Sequence, residues 1–389
     1  MTSFACRAGP RTGLMQLTFA FALNRPNQVV PNVGAHSLHI AEPTPMRALL
    51  LTAPSKLEVV DFPTPEPASD EVLVAVRACG ICGSDIHGWD GSSGRRRPPL
   101  VMGHEAAGEI AGIGASVAGW KPGDRVTFDS TIFCGACADC REGRTNLCAT
   151  RQVIGVAPAE YRRHGAFAEF VSVPARVLHR LPDGLEWAKA AMAEPVSIAM
   201  HAVSRVRVTP DTTVVVVGSG MIGLLVIQVL RHAGVRRVIA IDLADDRLEI
   251  ARALGATETV KSGGARDPAT EVIQLTGGEG VDVACEVVGV DATLQIALNC
   301  VRRGGDAVLV GNLAPKTNFP LQTVVTRELT LHGTCGSAGE YPAALRMIAD
   351  GSVRVGPIIS AIEPMENGPH WFRRLSEPNN GLMKVILRP

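Results

Sequence analysis

The stretch "TTVVVVGSGMIGLLVIQVLRHAGVRRVIAID", residues 212–242, organises the rest of the chain. Four consecutive valines, Val214 to Val217, read as a strand buried on both faces, since β-branched side chains suit a pleated surface and nothing polar interrupts them. Gly218, Gly220 and Gly223 follow in G-x-G-x-x-G order. The first permits a tight turn, the second lets backbone N–H groups approach a pyrophosphate at a helix N-terminus, and the third lets helix lie close on strand. The apolar run through Met221 and Ile222 to about Ala233 reads as that helix, and a second strand ends at Asp242. Asp242 stands 19 residues after Gly223, where a carboxylate accepts both ribose hydroxyls and repels a 2′-phosphate. NAD is therefore expected over NADP.

Downstream, helical "DDRLEIARALGA", strand "ETV", helical "PATEVIQLTG", strand "VDVACEVVG", helical "ATLQIALNCV" and strands "DAVLVG" and "LTLHGT" continue the alternation to residue 334. Such alternation describes an α/β doubly wound parallel sheet, a Rossmann cofactor domain over 196–334. Residues 46–195 are instead rich in short strands, glycine and proline, and predict a β-rich catalytic domain to which 335–389, ending in the strand "MKVILRP", returns. Residues 1–45 follow no periodicity. "LMQLTFAFA" after Arg11 weakly imitates a signal peptide, but a disordered extension is the stronger reading, and a chain beginning at Met46 is expected to keep its activity.

Composition limits the partners. Lys plus Arg and Asp plus Glu both number 38 in 389 residues, so no net field draws the protein to nucleic acid or to an anionic membrane. The one long uncharged run, Thr212 to Leu230, is broken by the glycine turn and is no membrane span.

"FCGACADCREGRTNLC", residues 133–148, places Cys134, Cys137, Cys140 and Cys148 in C-x2-C-x2-C-x7-C order. Thiolates so spaced can converge on one ion, whereas neighbouring pairs are too cramped for a regular disulfide ladder. A closed four-cysteine zinc site is expected there, bracing a segment with few large apolar groups. Four thiolates leave zinc no open position, so the chemistry belongs elsewhere. "ACGICGSDIHGWDG" and "VMGHEAAGEI" offer Cys82, His104 and Glu105, a thiolate, an imidazole and a carboxylate. That mixed set suits a second zinc with a free position, a Lewis acid for a substrate oxygen.

Taken together, "GICGSDIH", "GHE", the four-cysteine lobe, "GAFAEF", "AEPVSIAMHA" and "GSGMIG" resemble a zinc-dependent medium-chain alcohol dehydrogenase of the sorbitol or polyol branch, from about Met46 to Pro389. The resemblance implies a GroES-like catalytic domain joined to the Rossmann domain, and a zinc-dependent oxidoreductase that transfers a hydride from a secondary alcohol of a polyol or polyol phosphate to NAD. It makes Cys82 and His104 ligands, with Glu105 or Glu194 as the remaining one, and two zincs per chain. It also places Ser84 and His87 in a proton relay and Arg247 beside the adenine. A cytoplasmic homodimer or homotetramer is expected, its edges offered by "DAVLVGN" and "LTLHGT". Arg95, Arg96 and Arg97 read first as a solvated surface face but could receive a substrate phosphate, as in galactitol-1-phosphate dehydrogenases, and Trp89 and Tyr341 could line the pocket or be plain packing. L-Threonine 3-dehydrogenases carry a similar ligand set, and a non-catalytic zinc adaptor is the reading from another class.

Overall fold

The computed structural model describes residues 45–156, 163–378 and 380–389. The expectation of an N-terminal extension over 1–45 falls, but for Pro45, outside the described residues. Six parallel strands form one sheet in the order Glu258–Lys261, Arg237–Asp242, Thr213–Val217, Val281–Glu286, Val301–Leu309 and Thr330–Gly333. This is the doubly wound arrangement expected from the alternation. Strand order reverses between Thr213–Val217 and Val281–Glu286, and the carboxyl ends of strands beside such a reversal leave the crevice where ligands bind. Gly218 lies at that end with φ of 102°, a left-handed conformation that favours glycine. At Gly223 a Cβ would stand 1.9 Å from the Gly218 carbonyl oxygen, so helix Met221–His232 can start this close only without a side chain there.

Residues before and after this sheet build a second, mostly antiparallel one: Leu178–Arg180, Arg125–Phe128, Glu105–Ile113, Glu71–Gly80, Lys384–Arg388 and Ile359–Pro364, with Phe170–Pro174 also on Glu71–Gly80. The C-terminal strand is inserted beside Glu71–Gly80, with Ile386 opposite Gly80 and Leu387 opposite Cys79. That register brings Lys384 to the segment just before Cys82. A third sheet joins Lys56–Pro63, Pro45–Ala53 and Leu100–Val101.

Seven α-helices among the described residues went unread in the sequence: Gly83–Trp89, Ala138–Arg141, Trp187–Ala190, Ala193–Ser204, Leu321–Arg327, Tyr341–Ala349 and Gly368–Ser376. The last two open with Pro342 and Pro369, residues that suit a first helical turn but read as loop when no long periodic run follows. Gly83–Trp89 is too short, at 7 residues, to show a helical period. Among the described residues no helix is long and apolar enough to cross a membrane.

Candidate active site

Cys82 directly precedes helix Gly83–Trp89, and His104 directly precedes strand Glu105–Ile113. These two junctions bring the Cys82 thiol, a His104 ring nitrogen and a Glu105 carboxylate oxygen within 4.8 Å of one another. His104 and Glu105 are buried, and Cys82 is half-buried. A soft, a borderline and a hard donor, three in number, fit a zinc with a position left for substrate. Glu194, in the first turn of helix Ala193–Ser204, does not join this group. Burial pushes its carboxyl up to about 8, with His104 pulling it down and Glu105 pushing it further up.

Three residues that the sequence reading did not weigh as part of the centre surround it. Asp85 is fully buried; its Oδ2 accepts from the Cys82 amide at 3.2 Å and its Oδ1 lies 3.4 Å from His104 Nδ1. That last pair attracts by charge without the alignment of a good hydrogen bond. Burial opposes the charge on Asp85, yet His104 and Arg96 hold its carboxyl well below the usual range. Burial likewise opposes a charge on His104, but Asp85, then the Cys82 thiol, carry the imidazole well above its ordinary value. Lys384, fully buried, donates to Glu105 Oε2 at 2.5 Å and to the Ile81 carbonyl at 2.9 Å. It orients the carboxylate, leaving Glu105 Oε1 without a partner among the described residues.

The second group is Cys134, Cys137, Cys140 and Cys148, whose sulfurs also lie within 4.8 Å of one another. Cys134 and Cys140 sulfurs are 4.0 Å apart, far beyond a disulfide and close to the edge of about 3.8 Å that four thiolates at 2.3 Å from one zinc would form. Amides of Ala136 and Cys137 donate to Cys134 Sγ and bring its thiol down to about 6. Desolvation and the neighbouring Cys137 push Cys140 up to about 12. Four sulfurs this close cannot all ionise without a cation between them, so the donor set fits zinc. Cys79 takes no part in either group; it is buried, and burial raises its thiol well above the ordinary value.

At the nucleotide turn, a Cβ on Gly220 would meet nothing within 4 Å, which leaves room for a phosphate against the backbone. Helix Met221–His232 begins there with no side-chain cap, so its first amides remain available. The helix carries Met221 and Ile222, both half-buried. Asp242 Oδ2 accepts from the Ser219 amide at 2.6 Å, tying the second strand's end to the turn, and its Oδ1 accepts from Ala244 at 3.0 Å. Arg247 stands half-buried in the first turn of helix Asp245–Ala253. These features fit a dinucleotide.

Ser84 and His87 are exposed on helix Gly83–Trp89, three residues apart and so on one face. The arginines at 95–97 do not form one phosphate-receiving cluster as the sequence suggested: Arg95 and Arg97 are exposed, but Arg96 is buried and turned toward Ser84 and Asp85. Trp89 and Tyr341 are both buried. Trp89 packs edge-on against Phe372 in the core, and Tyr341 is buried and stacked on His179. Cys285 and Cys300 are buried, and burial pushes both thiols up to about 12, as expected of inert core groups. His201 is a structural group, held by Glu340 at 2.7 Å.

Two family models match: the alcohol dehydrogenase GroES-like domain over residues 68–183 and zinc-binding dehydrogenase over 222–350. The chain is 34% identical over 352 residues to sorbitol dehydrogenase of Bacillus subtilis (strain 168), an alignment covering 89% of this chain and 98% of that one. Galactitol-1-phosphate dehydrogenase from Escherichia coli superposes with a TM-score of 0.81 at 27% identity, over 88% of this chain and 100% of that one. A zinc-binding dehydrogenase from Sinorhizobium meliloti 1021, bound to NADP, gives a TM-score of 0.80 at 32% identity, over 89% of this chain and 99% of that one. GroES-like and Rossmann-type folds joined in one chain, with a mixed cysteine, histidine and carboxylate centre, define a zinc-binding oxidoreductase. The chain belongs to the zinc-dependent medium-chain alcohol and polyol dehydrogenase family.

Proposed function

We propose that this protein transfers a hydride from a secondary alcohol of a polyol, or of a polyol phosphate, to NAD. The observation that carries the reading is the convergence of Cys82, His104 and Glu105 within 4.8 Å. In this reading Cys82, His104 and one of Glu105 or Glu194 hold a catalytic zinc, and Cys134, Cys137, Cys140 and Cys148 hold a structural one. Residues 46–195 and 335–389 supply the chemistry, and 196–334 hold the nucleotide through Gly218, Gly220, Gly223, Asp242 and Arg247. Bound zinc supplies a Lewis acid that makes an alcohol hydroxyl more acidic, and the nicotinamide supplies the hydride acceptor.

The side chains do the rest. Lys384 holds the Glu105 carboxylate in place, and Asp85 orients the His104 ring. Ser84, two residues beyond Cys82 and exposed, offers a hydroxyl oxygen to take the substrate proton as it gives up its own hydrogen, and His87 further along the same helix face passes the released proton to water. Edge strand Thr330–Gly333 and the exposed Leu313, Phe319, Leu321 and Val325 support a homodimer or homotetramer. Nine free thiols among the described residues suit a reducing, cytoplasmic setting.

Assay of polyols, polyol phosphates and threonine with NAD and NADP tests the proposal. Turnover of a polyol with NAD is expected; turnover of threonine alone would favour an L-threonine 3-dehydrogenase, and turnover of none a non-catalytic zinc protein. Asp242→Ser should narrow the preference for NAD over NADP by about tenfold or more, and an unchanged ratio would remove Asp242 from cofactor choice.

A further inference from the structure

We propose that Arg96 is a positioning residue for the reaction: from inside the fold it holds the Ser84 hydroxyl and the Asp85 carboxylate in one fixed relation. The inference rests on the reading of Ser84 as proton acceptor.

Arg96 Nη2 donates to Ser84 Oγ at 3.1 Å and to Asp85 Oδ1 at 3.0 Å, so one nitrogen serves two adjacent residues of a helix's first turn. Its side chain is 3% exposed, whereas Arg95 and Arg97 on either side face solvent. The route inward is opened by a glycine. A Cβ on Gly88 would stand 2.0 Å from Arg96 Cγ and 2.9 Å from Arg96 Cβ, so the stem crosses the helix where no side chain exists. The guanidinium Nε–H has no partner among the described residues. A buried cation with an unused donor is an expensive brace, and such departures from full satisfaction gather at functional sites.

The geometry has a chemical consequence. A serine hydroxyl has one hydrogen and two lone pairs, and unrestrained it turns among three staggered positions. With one lone pair engaged by Arg96, the oxygen is fixed and its second lone pair and hydrogen are directed away from the guanidinium. That is the arrangement a relay needs, because the acceptor must already sit at hydrogen-bond distance from the substrate hydroxyl. Through Asp85, the same cation reaches both the Cys82 amide and the His104 ring. Arg96 thus couples the relay to two of the proposed zinc ligands without touching substrate or metal.

Arg96→Lys tests this in the zinc-loaded enzyme. Lysine ends one bond short, keeping a charge opposite Asp85 but losing the hold on both oxygens. The expected result is a fall in kcat of about tenfold to a hundredfold, with KM for NAD, zinc content and melting temperature little changed. In Arg96→Lys combined with Ser84→Ala, kcat should fall by clearly less than the product of the two single losses, because the clamp then has no hydroxyl to hold and only its hold on Asp85 is left to lose. Unchanged kcat in Arg96→Lys, multiplying losses in the double variant, or a loss that tracks zinc release would each overturn the proposal. If Arg96→Lys does not fold, Gly88→Ala displaces the same stem and should show the same split between kcat and KM. The underlying reading fails separately: full kcat in Ser84→Ala, with zinc and NAD bound, removes the relay and this proposal with it.

Discussion

The four-cysteine lobe and the centre at Cys82, His104 and Glu105 both gather metal-binding side chains, but they are built in opposite ways. In the lobe, all four thiols come from one stretch, 134–148, and three of them, at 134, 137 and 140, are at least partly exposed. Local amides do the shaping. At the second centre His104 and Glu105 are buried, and their supports, Asp85 and Lys384, are buried charges, one of them reaching Glu105 across 279 residues of sequence. In the proposed reading the lobe is a local fold that an ion would complete. The second centre is an electrostatic network that the whole fold must assemble, and removing one partner there leaves a charge stranded in a low-dielectric interior.

Exchange of a ligand in each region should break the comparison if it is wrong. Cys82→Ser is expected to lower kcat/KM by about a thousandfold or more, while one zinc per chain and a cooperative melt remain; full activity would show that the centre has been misplaced. Lys384→Met leaves the Glu105 carboxylate buried without its cation and should cost about 3–5 kcal/mol, read by denaturant unfolding. A change within about 0.5 kcal/mol would mean that the buried pair contributes little. Cys137→Ser should release the other zinc and lower the melting temperature by about 5 °C, with kcat of the folded enzyme reduced less than about threefold. Loss of activity with the lobe's zinc retained would contradict the division of labour.

A smaller effect sharpens the buried side alone. Burial lowers the imidazole of His179, stacked on Tyr341, from 6.5 to about 4. A group depressed in the folded state gives its full stabilisation above its free value and loses it as pH falls toward the folded one. Between pH 7 and pH 5 the protein should therefore lose about 2 kcal/mol that His179→Phe does not lose. Parallel pH profiles for the two proteins would refute that.

The same contrast explains what could be read from the sequence. The parallel sheet was legible because Val214 to Val217 and the glycines at 218, 220 and 223 place strand, turn and helix within one short window. The lobe was legible because its spacing is itself the signal. Cys82, His104 and Glu105 were legible as donor types in short motifs, although only the fold brings them together. Arg96 read as one of three surface arginines, because nothing local shows that Gly88 opens a path for its stem. Lys384 carried a fainter signal, a charge set in the apolar strand "MKVILRP", but its partner lies in another strand and no periodicity names it. Asp85 was equally silent between Ser84 and Ile86, since burial of a carboxylate is decided by what packs over it.

Anomalous diffraction at the zinc edge, from crystals of the zinc-loaded protein soaked with NAD, tests the central claim most directly. Two peaks per chain are expected, one enclosed by the sulfurs of 134, 137, 140 and 148, the other bounded by Cys82 and His104 with a face turned to the nicotinamide. A single peak in the lobe, or a second one away from those two side chains, would contradict the account.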